Sequence, residues 1–116
     1  MATRIKQYDV WLADLNPRFG TEPGKLRPVV IIQTDLLTET GHPSTIICPI
    51  TSNIIPDASI LRVHLSEKEA GTTKPSDILV DQLRAIDNKR FIEKTGTLEK
   101  TSVKVLREGL GIVLDL

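Results

Sequence analysis

Pro28-Val29-Val30-Ile31-Ile32-Gln33-Thr34 sets four β-branched aliphatic residues in a row directly behind a proline. Branching at Cβ crowds a helix turn but packs well on a pleated surface, and the run is too short for a buried helix. Residues 28–34 therefore read as a buried strand. Residues 44–51 repeat the pattern with Thr45-Ile46-Ile47 and read the same way. On the amino-terminal side, residues 8–14 alternate, with Tyr8, Val10 and Leu12 against Asp9, Trp11 and Ala13, which is the period of a strand. Between these strands lie two connections, residues 15–26, rich in Gly and Pro, and residues 35–43. Long connections in so short a chain are where binding and chemistry are expected.

Further along, residues 60–65 alternate again. Ser66-Glu67-Lys68-Glu69 has the spacing of a capping box, which predicts a very short helix ended by Gly71. Residues 78–83 and 92–98 read as strands. Val103, Leu106 and Leu110 recur at helical spacing, so a helix is expected over residues 99–110. Gly109 and Gly111 mark its end, and residues 112–116 are expected to return to strand. Many short strands with few helical residues predict a mainly β fold with short helices, a small α+β barrel that closes its own edges. With one Trp, one Tyr and two Phe, its core must be aliphatic.

At 116 residues, one domain over 1–116 is the expectation. The amino terminus lacks the apolar stretch of a signal peptide. No segment approaches the roughly 20 apolar residues of a membrane span, so no membrane partner and a cytoplasmic location are expected. Cys48 is the single cysteine and sits in an apolar run, which fits a reducing compartment and an inert thiol. Fifteen basic and fifteen acidic residues give zero net charge, which counts against a nucleic-acid binder. The distribution works the other way. Arg18, Lys25 and Arg27 crowd one segment diluted only by Glu22, and Arg84, Lys89, Arg90 and Lys94 crowd another against Asp87 and Glu93.

Several chemistries are absent from the pattern. There is no phosphate-binding Gly loop, no dinucleotide fingerprint and no zinc-type spacing of Cys and His. His42 and His64 are far apart, and surface roles suit both, His64 by alternation on a strand and His42 in a turn before Pro43. What remains is polar groups at strand ends. Arg27 stands where the first loop meets the buried strand, and Thr51, Ser52 and Asn53 leave the next one. Asp81 and Gln82 interrupt the apolar run Ile78-Leu79-Val80 and need partners if buried. Each has a plain structural alternative: an ion pair of Arg27 with Asp14 or Glu22, a strand end at Thr51, loop backbone for Asp81 and Gln82.

Five stretches, in order and over nearly the whole chain, resemble one family. Asp9-Val10-Trp11-Leu12-Ala13-Asp14-Leu15-Asn16-Pro17 is similar to the opening strand of MazF/PemK toxins. Gly20-Thr21-Glu22 followed by Gly24-Lys25-Leu26-Arg27-Pro28-Val29 resembles the loop that follows it. Pro49-Ile50-Thr51-Ser52, Ile78-Leu79-Val80-Asp81-Gln82-Leu83-Arg84 and Gly96-Thr97-Leu98 resemble its later motifs. Tyr8 stands where the family usually has Gly.

The resemblance implies an SH3-like barrel of the PemK/MazF/CcdB kind with a C-terminal helix, forming a homodimer. It implies metal- and cofactor-independent, sequence-selective cleavage of single-stranded RNA, including messenger RNA. It also implies a cognate MazE-like antitoxin, with no direct DNA binding expected without that partner. Arg27 and Thr51 are its catalytic pair, and Glu22 a weaker third. Asn16, Arg18, Phe19, Thr21, Lys25, Ser52, Asn53, Asp81, Gln82 and Arg84 are the expected RNA contacts, with Phe19 able to stack on a base or to pack. Two other functions share the fold: a CcdB-like toxin that poisons gyrase without cutting, and an inactive antitoxin-binding module.

Overall fold

The structure is a computed structural model that describes residues 5–17, 20–21, 25–58 and 61–116. Seven strands form one antiparallel sheet: β1 (Asp9–Asp14), β2 (Leu26–Ile31), β3 (Ser44–Thr51), β4 (Arg62–Leu65), β5 (Ser76–Leu79), β6 (Arg84–Asp87) and β7 (Phe91–Thr97). They run in the order β4-β5-β3-β2-β1-β7, and β6 pairs with β3 beside β5. A short helix α1 (Asp35–Thr38) interrupts the second connection, and a 15-residue helix α2 (Lys100–Leu114) closes the described chain.

The apolar runs are continuous because both faces of the central strands are buried. Val10, Val30, Cys48 and Ile50 join Val63, Leu65, Ile78, Val80 and Leu106 in one core. Val29, Ile31 and Ile47 point the other way and pack with Ala13, Leu15 and Ile86, flanked by Trp11 and Phe91 in edge-to-face contact at 5.9 Å. Alternation sorts neighbours on one strand into two cores, and each fully buried Val or Ile contributes about 1.5–3 kcal/mol.

Several local expectations are overturned. No α-helix follows residues 66–69. The chain makes a 3-10 turn at Glu69–Gly71 with Lys68 and Ala70 left-handed. Glu69 reaches away from it and accepts the Glu99 N–H at 3.2 Å, so it caps α2 instead. Gly71 has φ +81, and a Cβ there would lie 2.2 Å from the Thr95 carbonyl oxygen. A Cβ on Gly96 would lie 2.5 Å from the Ala70 carbonyl carbon. The turn and β7 touch backbone to backbone, which only glycine permits.

The strand expected over 78–83 stops at Leu79, and Val80–Gln82 is a 3-10 turn. β6 was not expected at all. Residues 112–116 do not return to strand, because α2 runs on to Leu114 and ends with Asp115 at φ 57. The helix passes both glycines because Gly109 is buried and Leu110 and Val113 still pack on the first core. Arg27 lies inside β2, paired with Ala13, rather than ahead of the strand. Tyr8, at the position where Gly was the pattern, has φ 69. Its ring packs against the first core, and its hydroxyl accepts from Arg107 at 3.1 Å.

Cys48 is fully buried, and its thiol is pushed up to about 12 by burial and then by the nearby charge of Asp81. No helix of the described residues is long and apolar enough to cross a membrane.

Candidate active site

β2 and β3 pair through Val29↔Pro49, Val30↔Cys48 and Ile31↔Ile47. Carrying that register two residues further sets Arg27 abreast of Thr51, on one strand face, since opposed residues of an antiparallel pair point the same way. Beside these strand ends opens a cavity of about 440 Å³. Its β2 side is formed by Lys25, Leu26, Arg27 and Pro28, and its β3 side by Ile50 and Ser52. The segment from Gly71 through Thr72, Thr73 and Lys74 to Ser76 makes the far wall.

Three cations therefore line one opening, and no carboxylate is among its described lining residues. A concave surface of one sign concentrates field and favours an anionic ligand, even on a chain of zero net charge. Arg27 is half-buried, which limits the motion of its planar fork. Thr51 is buried and not on the cavity wall. Its hydroxyl oxygen accepts the Asn53 N–H at 3.1 Å.

The other expected contacts scatter. Asn16 closes the base of the first loop, its side-chain oxygen accepting the Lys25 N–H at 2.8 Å. Arg90 donates to the Asp14 carbonyl at 2.9 Å and to that of Asn16, so one of the cations read as surface charge is a loop anchor. Thr21 and Asn53 are exposed. Asp81 is exposed and Gln82 half-buried on their 3-10 turn, away from the cavity lining. Arg84 sits on β6 opposite Ile47. Its Nη1, like the Trp11 Nε1, is a buried donor with no hydrogen-bond partner among the described residues. Arg18, Phe19 and Glu22 fall outside the described residues.

Sequence reasoning missed two features. One is the far wall, Thr72 to Lys74. The other is a charged cluster behind the site. Asp77 is fully buried. Its Oδ1 lies 2.6 Å from His64 Nδ1, and its Oδ2 accepts from Arg62 Nη1 at 3.0 Å and from the Ile55 N–H at 3.1 Å. Burial pushes this carboxyl up, but the bonds from His64, the Ile55 N–H and Arg62 outweigh it and hold it below the ordinary value. Along the chain nothing joins Arg62 and His64, two apart on an alternating strand, to Asp77 ahead of its apolar run. Among the described residues, no group of three His, Cys, Asp or Glu could hold a metal ion.

Residues 6–114 match the family model described as PemK-like, MazF-like toxin of type II toxin-antitoxin system. Among solved structures, the Mycobacterium tuberculosis toxin MazF-mt6 superposes with TM-score 0.77 at 21% identity, covering 93% of this chain and 97% of that one. MazF from Deinococcus radiodurans gives TM-score 0.81 at 20% identity, covering 97% of each chain. An endoribonuclease in complex with its cognate antitoxin, from a mycobacterial species, gives 0.74 at 11% identity, covering 97% of this chain and 94% of that one.

Proposed function

The chain belongs to the PemK-like, MazF-like toxin family of type II toxin–antitoxin systems, and from that premise we propose that it is an endoribonuclease that cuts single-stranded RNA. The observation that carries the reading is the cavity at the ends of β2 and β3, where Lys25, Arg27 and Lys74 meet the hydroxyl of Ser52. Such a surface suits the anionic oxygens of a phosphodiester backbone.

In the proposed reaction a base takes the proton of an RNA 2′-hydroxyl as its oxygen bonds to the adjacent phosphorus; the bond from phosphorus to the 5′-oxygen breaks, and that oxygen takes up a proton from water. The products are a 2′,3′-cyclic phosphate and a 5′-hydroxyl. Charge builds on the phosphoryl oxygens in the transition state, and donors fixed before the reaction stabilise it most. Arg27 offers a planar fork matched to two such oxygens. Thr51 is buried just off the cavity wall and its oxygen accepts the Asn53 N–H, so it supports the site from behind Ser52 with its own O–H proton left to donate. Ser52 is a second donor. Arg27 is the charge stabiliser, because a guanidinium holds its proton too tightly to serve as a base. Glu22 is the candidate base.

The same reading makes the chain a single-domain, cytoplasmic toxin that works as a homodimer, with growth restored by a MazE-like antitoxin. The direct test is incubation with a long single-stranded RNA in EDTA, followed by mapping of the cut ends. Cleavage with cyclic-phosphate ends, blocked by a 2′-deoxy nucleotide 5′ of the cut, is the expected result. Cutting that ignores the deoxy substitution, or no cutting at all, overturns the proposal.

A further inference from the structure

We propose that Asp77, Arg62 and His64 form a positioning cluster: they clasp the backbone of residues 53–55 and so hold Thr51 and Ser52 in working position beside Arg27. The inference rests on the nuclease reading above.

Residues 52–57 are exposed, and Ile54 and Ile55 leave more than two-fifths of their surface in water, so apolar packing does little to fix them. Polar bonds do it instead. Arg62 Nη1 donates to the Asn53 carbonyl at 2.8 Å while bonding Asp77 at 3.0 Å. Asp77 in turn accepts the Ile55 N–H, and Thr51 accepts the Asn53 N–H. The backbone is therefore pinned at the N–H and C=O of residue 53 and the N–H of residue 55, immediately after the candidate catalytic hydroxyls.

The pairing of strands explains how the cluster reaches this loop. Asp77 is the Cα partner of Thr51 on β3 and of His64 on β4. Arg62 lies two residues before His64, so both project toward the face that carries Asp77. Burying a carboxylate is expensive, and a well-packed apolar pair could hold a hairpin as firmly. An apolar pair could not fix a backbone N–H and a carbonyl in a chosen place. None of the three side chains lines the 440 Å³ cavity, so their action on the reaction is indirect.

The experiment compares the unaltered chain with Arg62→Met and Arg62→Lys on single-stranded RNA, well below each protein's unfolding temperature. Hydrogen exchange at the Asn53 and Ile55 amides is measured alongside. Arg62→Met is expected to expose both amides to faster exchange and lower kcat per folded molecule on the order of 10-fold, with KM nearly unchanged. Lys, which can still bridge the carboxylate and carbonyl, should restore most of the rate. Should Arg62→Met not fold, the half-exposed His64→Leu reads the same split, with a kcat loss of about threefold. Faster exchange with unchanged kcat, or unchanged exchange, overturns the clasp while leaving the nuclease reading intact. An unaltered chain that cuts no RNA removes that reading and the clasp with it.

Discussion

Two charged regions lie on either side of the strand end at Thr51, and they handle charge in opposite ways. Around Asp77, a buried anion meets Arg62 and His64 at 3.0 and 2.6 Å. Across the strand end, Lys25, Arg27 and Lys74 gather around an open cavity without a carboxylate among its described lining residues. The first arrangement spends its charge internally on geometry, because a buried pair is rigid and poorly screened. The second sets its cations along an open wall, where a concave positive surface favours an anionic ligand. Substitutions in the first region should register in stability, in loop order and, through the loop, in kcat, and those in the second directly in binding and turnover.

The largest effect is expected at Arg27. Arg27→Ala should keep the fold yet lose about 10²–10³-fold in RNA cleavage rate, the usual cost of one transition-state donor. Circular dichroism and initial rates on the same preparation check it. Arg27→Lys retains charge and loses the fork, so a rate near that of the unaltered chain would reduce the residue to a point charge.

On the other side, Asp77→Ala strands Arg62 without its anion and should cost on the order of 3 kcal/mol in denaturant unfolding. Acid should mimic it in the unaltered chain. Asp77 is held below its ordinary value of 3.8, so its contribution to stability is fully present above that value and fades as pH falls through the folded pKa. A denaturation midpoint that falls no more steeply in acid for the unaltered chain than for Asp77→Ala would contradict this.

Both regions were unequally legible in the sequence, and the reason is physical. β3 begins and ends where its β-branched run does, because its stretch from Ile47 to Thr51 is buried on both faces and local pattern and tertiary packing agree. Glu69 shows the opposite case. Its spacing from Ser66 is that of a local cap, but the folded chain offers it the start of α2 instead. β6 has a single deeply buried residue, Ile86, and exists because β3 leaves an edge for it. Of the site, the strand ends carrying Arg27 and Ser52 could be read along the chain. The wall formed by Thr72 to Lys74 and the bonds converging on Asp77 could not, since they join segments that only the sheet brings together. The match of the Tyr8 position to a glycine pattern was informative in an unexpected way, because the backbone there is left-handed at φ 69.

The smallest effect belongs to Lys74, which sequence reasoning passed over. It is exposed on the far wall, so it offers a screened point charge rather than an oriented fork. If the cavity takes an RNA backbone, Lys74→Ala should weaken RNA binding a few-fold and leave kcat unchanged. Removing one phosphate contact should also flatten the dependence of log affinity on log salt by about 0.7 for a single strand. Titrations of a 2′-deoxy-blocked RNA at several salt concentrations measure both. A slope unchanged by the substitution would place the strand elsewhere and leave Arg27 without the charged company that the geometry gives it. A change in slope with no change in kcat would instead separate binding charge from reacting charge within one cavity.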